Sequence, residues 1–112
     1  MRGRQHDPSE VLSDLHDAVD AVFEALAHHE DWGPSGNRPD QYASDVVADR
    51  AVREALEPGG YGLLSEESPM TMAVDGGPVV VVDPIDGSTN ASRGLPWFST
   101  SLCAVDRDGP WV

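Results

Sequence analysis

A chain of 112 residues holds one small domain or a piece of a larger one. With 39% hydrophobic residues it can build a core, yet no apolar run approaches the ~18 residues of a bilayer span, which excludes an integral membrane protein. Seven arginines, no lysine and 20 acidic residues give a formal net charge of −13. That balance excludes a duplex nucleic-acid partner, whose phosphates would be repelled.

The N-terminal segment MRGRQHDPSE lacks the apolar stretch of a secretory signal, nothing marks export, and a cytoplasmic protein is expected. Residues 1–8 read as a disordered tail. Asp7, Pro8 and Glu10 carry a helix start: a capping oxygen, a proline suited to the first turn and a glutamate that can reach back. Val11, Leu12, Leu15, Val19, Val22, Phe23 and Leu26 then recur at helical spacing, predicting a helix over 7–29. Its far face carries Asp14, Asp17, Asp20 and Glu24, and His28 and His29 close it as surface residues. Residues 30–40, rich in Gly and Pro, form a loop. A second helix is predicted from about Tyr42 to Leu56, with a stripe of Val47, Ala51 and Ala55 helped by Val52 and Leu56. Pro58-Gly59-Gly60 stops it.

Beyond this point the chain turns to strands. Tyr61–Ser65 is short and apolar and leads into Glu66-Glu67, and Pro69–Gly77 is a loop. Val79–Val82 is an all-β-branched run that predicts a strand buried on both faces. Phe98–Val105 is a further strand, Asp106-Arg107-Asp108-Gly109 a turn, and Pro110-Trp111-Val112 the beginning of a return strand. Because that strand stops as it starts, the chain is expected to be the N-terminal part of a larger protein. Cys103, the single cysteine, allows no intrachain disulfide and no cysteine cage, and reads as a buried inert thiol.

Chemistry concentrates in the segment VVVVDPIDGSTN, residues 79–90. A strand delivers Asp83 and Asp86 at its C-terminal end, Pro84 fixes the backbone between them, and Gly87 opens a turn into the helix-capping residues Ser88, Thr89 and Asn90. Two carboxylates aimed at one place repel unless a cation lies between them. A donor set of hard oxygens favours Mg²⁺ over zinc. Glu66, seventeen residues before Asp83, also follows a short apolar strand. If the two strands are neighbours, Glu66 meets Asp83 at one sheet edge, and three convergent carboxylates suit a divalent metal. Backbone N–H groups at Gly87 and Ser88 suit an anion such as phosphate. The competing bland reading is a pair of ordinary Asp-Pro and Asp-Gly turns beside a solvated acidic bend.

The run DPIDGSTN, Asp83 to Asn90, resembles the signature of the inositol monophosphatase family of Mg²⁺-dependent, lithium-sensitive sugar phosphatases, matching it at all eight positions. Ser65-Glu66-Glu67-Ser68 resembles the family's Gly-Glu-Glu-Ser segment. Asp45-Val46-Val47-Ala48-Asp49 resembles its Asp-x-Val-Thr-x-x-Asp segment, with the threonine absent and the spacing shorter. The stretch Gly94–Val105 resembles the strand that follows the signature.

This resemblance implies roles residue by residue. Glu66 ligates a first metal and orients the attacking water. Asp83 bridges two metals, the Ile85 carbonyl ligates the first, and Asp86 ligates the second. Ser88 polarises the water with Asp49 as its hydrogen-bond partner, and the turn of Gly87, Ser88 and Thr89 holds the phosphate. The implied fold is α+β, two helices packed on part of a mixed or antiparallel sheet, the first portion of a layered αβαβα sandwich. Residues 1–112 then form the truncated N-terminal metal-binding half of a sugar-phosphatase domain. Family members are roughly twice as long, within the usual range of a compact domain pair. Their second half supplies a further aspartate ligand and most sugar contacts.

The full-length protein is accordingly expected to hydrolyse a small phosphate monoester with Mg²⁺, and the isolated chain to be weakly active or inactive. Inositol phosphate, histidinol phosphate, fructose bisphosphate and a nucleotide 3′-phosphate all fit such a first half. Homo-oligomerisation is left open. Part of the sheet should be an exposed apolar face, with Trp97, Phe98 and Trp111 as candidates for it. Two rival readings are a non-catalytic fragment that joins a partner supplying the other half, and a metal-binding module of separate ancestry.

Overall fold

The computed structural model describes residues 6–94 and 98–110. The expectations for Trp97, for Trp111 and Val112, and for residues 1–5 of the tail lie outside the described residues. The fold is α+β. Helix α1 spans Pro8–Ala27 and α2 spans Ala43–Leu56. Strands β1 (Gly62–Ser65), β2 (Val79–Asp86), β3 (Ser99–Asp106) and β4 (Gly109–Pro110) form a mixed sheet in that order, with a short helix α3 (Ser88–Ser92) between β2 and β3. Strands β1 and β2 run parallel, and the other neighbours are antiparallel.

Helix α1 starts where the capping residues place it. Asp7 Oδ1 accepts from the backbone N–H groups of Ser9 at 2.9 Å and Glu10 at 3.0 Å, satisfying two otherwise orphaned donors. Those bonds hold the Asp7 carboxyl below the ordinary carboxylate range, first through Ser9 and then through Glu10. The end of the expected tail is therefore structured. His6 Nε2 contacts the Gly59 carbonyl at 2.6 Å, and its ring packs on Tyr61.

The buried stripe of α1 is Val11, Leu15, Ala18 and Val22. Phe23, expected in that stripe, is 65% exposed, and Leu12 also faces outward. Each lies about 100° round the helix from its buried neighbour, so their hydrophobicity did not place them. Helix α2 departs further from expectation. Its buried face is Ser44, Asp45, Ala48, Asp49, Val52 and Leu56, whereas Val47, Ala51 and Ala55 are only half-buried. Polar residues at 45 and 49 occupy the inner face because their carboxylates find hydrogen bonds there.

Both long helices cover one face of the sheet, sharing a core with Leu63, Val80, Val82 and Ala104. The strand at residues 79–82 was expected to be buried on both sides, but Val81 is 40% exposed and Leu64 46%. Alternation across the pleat explains this. Val80 and Val82 point to the helices, while Leu64, Val81 and Cys103, aligned across three strands, point the other way. Cys103 is consequently half-buried rather than enclosed. Phe98 is also exposed. The outer face forms an open concavity of about 510 Å³ whose rim reaches Glu66 and Asp83. Gly62 is required where β1 passes the returning chain, since a Cβ there would stand 2.8 Å from the Ala73 nitrogen. On its free side β1 makes a two-bond bridge, Leu63 with Thr71. Among the described residues no helix is long and apolar enough to cross a membrane.

Candidate functional site

The site is built from the carboxyl ends of two parallel strands. Ser65 pairs with Val82, so the next residues come side by side, Glu66 just past the end of β1 and Asp83 still paired with Ser101 of β3. Strand β2 then becomes irregular. Its pairing with β3 shifts between Asp83 and Asp86, and the Thr100 hydroxyl donates to the Pro84 carbonyl at 2.7 Å across that break. Proline has no N–H to continue the ladder, so a shift at Pro84 costs little. Gly87 follows with φ +90°, a left-handed conformation that glycine adopts without a Cβ penalty, and it turns the chain into α3.

Asp83 is half-buried among like charges. Its carboxyl is held above the ordinary range, first by burial and then by Asp86, Glu66 and Glu67. Asp86 and Glu66 are exposed, and Ile85 is buried. The three expected carboxylates therefore share one sheet edge and one electrostatic environment. They do not gather into one cluster. Among the described residues no three His, Cys, Asp or Glu side chains form a group that could hold a metal ion. The donor set itself fits a hard dication: carboxylates and a carbonyl, with excess negative charge around Asp83 for a cation to relieve.

One expected contact is corrected. Asp49 does not meet Ser88. It is 5% exposed and accepts from Ser65 Oγ at 2.6 Å, Ser68 Oγ at 2.6 Å and Arg53 Nε at 3.3 Å. Ser88 acts instead on Asp45, one turn earlier on α2 and 3% exposed, whose charged form it favours. Burial raises the Asp45 carboxyl above the ordinary range, and Glu67 and Asp83 add to this. The bonds from the Tyr42 N–H and from Ser88 act against the rise. Asp45 also accepts from the Tyr42 N–H at 2.9 Å, closing the first turn of α2. That local bond was the available signal, an acidic residue three positions into a helix.

Two further residues escaped the sequence analysis. Arg38 and Gln41, from the loop before α2, hold the acidic bend. Gln41 Nε2 donates to Glu67 at 2.6 Å, and Arg38 Nη2 donates to Glu67 at 3.2 Å and to the Glu66 carbonyl at 2.7 Å. On the opposite flank the Tyr42 hydroxyl lies 3.2 Å from Thr89 Oγ1, tying α2 to α3. The Thr89 and Ser92 hydroxyls, and then the charge of Arg93, hold that phenol below its ordinary range.

The model of the inositol monophosphatase family matches residues 17–112. The chain belongs to this family. Among inositol monophosphatase relatives, the inositol-1-monophosphatase of Rhizobium meliloti (strain 1021) is 38% identical over 107 residues, an alignment covering 84% of this chain and 39% of that protein. The fructose-1,6-bisphosphatase/inositol-1-monophosphatase of Archaeoglobus fulgidus is 41% identical over 61 residues, covering 54% of this chain and 23% of that protein. The crystal structure of the extragenic suppressor protein SuhB from Bartonella henselae superposes with a TM-score of 0.71 at 24% identity, covering 90% of this chain and 42% of that one. This likeness supports the α+β fold. The chain thus spans about two fifths of the length of the Rhizobium relative and of the Bartonella structure.

Proposed function

We propose that this chain forms the catalytic edge of a Mg²⁺-dependent phosphate monoester hydrolase whose other contacts come from sequence outside these residues. The observation that carries the reading is the parallel register of β1 and β2, which brings Glu66 beside Asp83 with the Asp45–Ser88 pair nearby. Glu66, Asp83, the Ile85 carbonyl and Asp86 would hold the metal. Bound there, Mg²⁺ supplies a lowered pKa for water and charge stabilisation at the leaving oxygen. Ser88, beside Asp45 rather than Asp49, would orient the attacking water together with Glu66. The turn of Gly87, Ser88 and Thr89 receives the phosphate. Small sugar or inositol phosphates are the substrate class, and the cytoplasm, where such esters reside, is the setting.

The test is phosphate release by the full-length protein from inositol 1-phosphate, histidinol phosphate, fructose 1,6-bisphosphate and a nucleotide 3′-phosphate. Release from at least one ester with Mg²⁺, lost with EDTA and reduced by Li⁺, is expected. Release undiminished by EDTA, or none from any ester, would sink the reading.

The open face of Leu64, Val81 and Cys103 supports a second reading, a non-catalytic fragment that docks on a partner completing the layer. Under that reading the 112-residue chain self-associates or captures its partner. A stable, well-behaved monomer in size-exclusion chromatography counts against it.

A further inference from the structure

We propose that Asp49 is a positioning residue for Glu66, acting through the hydroxyls of Ser65 and Ser68; this rests on the reading of Glu66 as a metal ligand. The two glutamates of the acidic bend are treated differently. Glu67 is held through Oε2, which accepts from both Gln41 and Arg38. The Glu66 carboxylate has no hydrogen-bond partner among the described residues, although the backbone on both sides of it is fixed. Ser65 Oγ donates to Asp49 Oδ1 at 2.6 Å and accepts from the Glu67 N–H at 3.1 Å, so Glu66 sits at the apex of a closed side-chain turn. The Glu66 carbonyl accepts from Arg38 at 2.7 Å. Just beyond, Ser68 Oγ donates to Asp49 Oδ2 at 2.6 Å, and Arg53 anchors the exit through Ser68, Thr71 and the Pro69 carbonyl.

The bend is therefore hydrogen-bonded on both sides of its one carboxylate whose charge Asp83 senses and which has no hydrogen-bond partner among the described residues. A carboxylate with Asp49's burial is costly unless fully hydrogen-bonded. A helix-to-bend contact made only for stability could use an apolar side chain instead. The position on α2 gives the polar alternative its use. Asp45 and Asp49 are four residues apart on the buried face of α2, about 6 Å along the axis, so the helix that carries Asp45 beside the Asp83 end of the site also holds the Glu66 turn through Asp49. Residues that orient a metal ligand are worth about 10–100-fold in affinity.

The experiment uses the full-length protein and titrates Mg²⁺ alone by calorimetry, with thermal midpoints measured in EDTA. Asp49→Asn and Ser65→Ala are expected to stay folded and to bind Mg²⁺ about 10–100-fold more weakly, and Ser65→Thr, which keeps the hydroxyl, to bind as the parent does. If Asp49→Asn fails to fold, the Ser65→Ala and Ser65→Thr pair decides. Parent-like Mg²⁺ affinity in Ser65→Ala, whatever its thermal midpoint, overturns the proposal, as does Ser65→Thr binding no better than Ser65→Ala. Glu66→Gln separates the two levels. If it binds Mg²⁺ as the parent does, the underlying assignment of Glu66 has failed. If it weakens binding while Ser65→Ala does not, only the positioning role has failed.

Discussion

Asp83→Asn is expected to abolish measurable Mg²⁺ binding by the full-length protein and to slow phosphate release about a thousand-fold or more, while making the metal-free fold more stable at neutral pH. The two effects share one cause. The Asp83 carboxylate is half-buried beside Asp86, Glu66 and Glu67, an arrangement that disfavours its charge until a cation arrives. Its folded-state pKa lies above the unfolded one. The fold therefore gains from Asp83 at low pH and loses that gain as pH rises from the ordinary value of 3.8 through the raised one. Asparagine has no charge to titrate, so the variant should keep its stability across that window. Thermal melts in EDTA between pH 4 and 8 should show parent and variant converging at the acid end and separating above it, with the variant higher. Parent-rate hydrolysis by the variant would falsify the assignment of Asp83.

Leu56→Ala should be the most damaging single truncation of the core. Leu56 is fully buried at the end of α2, directly before the 3-10 turn at Glu57–Gly59 that leads the chain toward β1. Removing its branched end leaves a cavity between α2 and the core, at a cost of about 3 kcal/mol. Against total stabilities of about 5–15 kcal/mol for ordinary domains, that is a large fraction. Urea unfolding should show a lower midpoint with an unchanged slope. A loss under about 1 kcal/mol would mean that this end of α2 collapses onto the gap and is less firmly packed than its burial implies.

The sequence was most legible where composition and function agree. The run at 79–82 announces a strand, and β2 bears this out, although it runs on through the aspartate–proline pair to Asp86 with a shifted register. Helix α1 was readable from Asp7 and Pro8 because capping is local chemistry. Helix α2 was readable in extent and, through Val52 and Leu56, in part of its inner face, but not at Asp45 and Asp49. A hydrophobic stripe cannot reveal Asp45 and Asp49 as inward-facing, since their burial depends on serine, arginine and backbone partners, most of them from other segments. For the same reason the partner of Ser88 was misplaced by one helical turn. Arg38 and Gln41 were invisible because a Gly- and Pro-rich loop gives no periodicity, and their contacts span 26 to 29 residues of sequence. The pleat, rather than the apolar run itself, decided that Val81 would face outward.

The bridge between Leu63 and Thr71 has a consequence for how the sheet can grow. Parallel β1 would otherwise present an unsatisfied row of amides and carbonyls, a template on which a foreign segment could polymerise. The chain leaving the acidic bend folds back and occupies two of those groups itself, with Leu63 and Thr71 each donating and accepting at 2.9 Å. Accretion of a new strand is thereby obstructed on this flank, and any lateral extension of the sheet is steered toward β4.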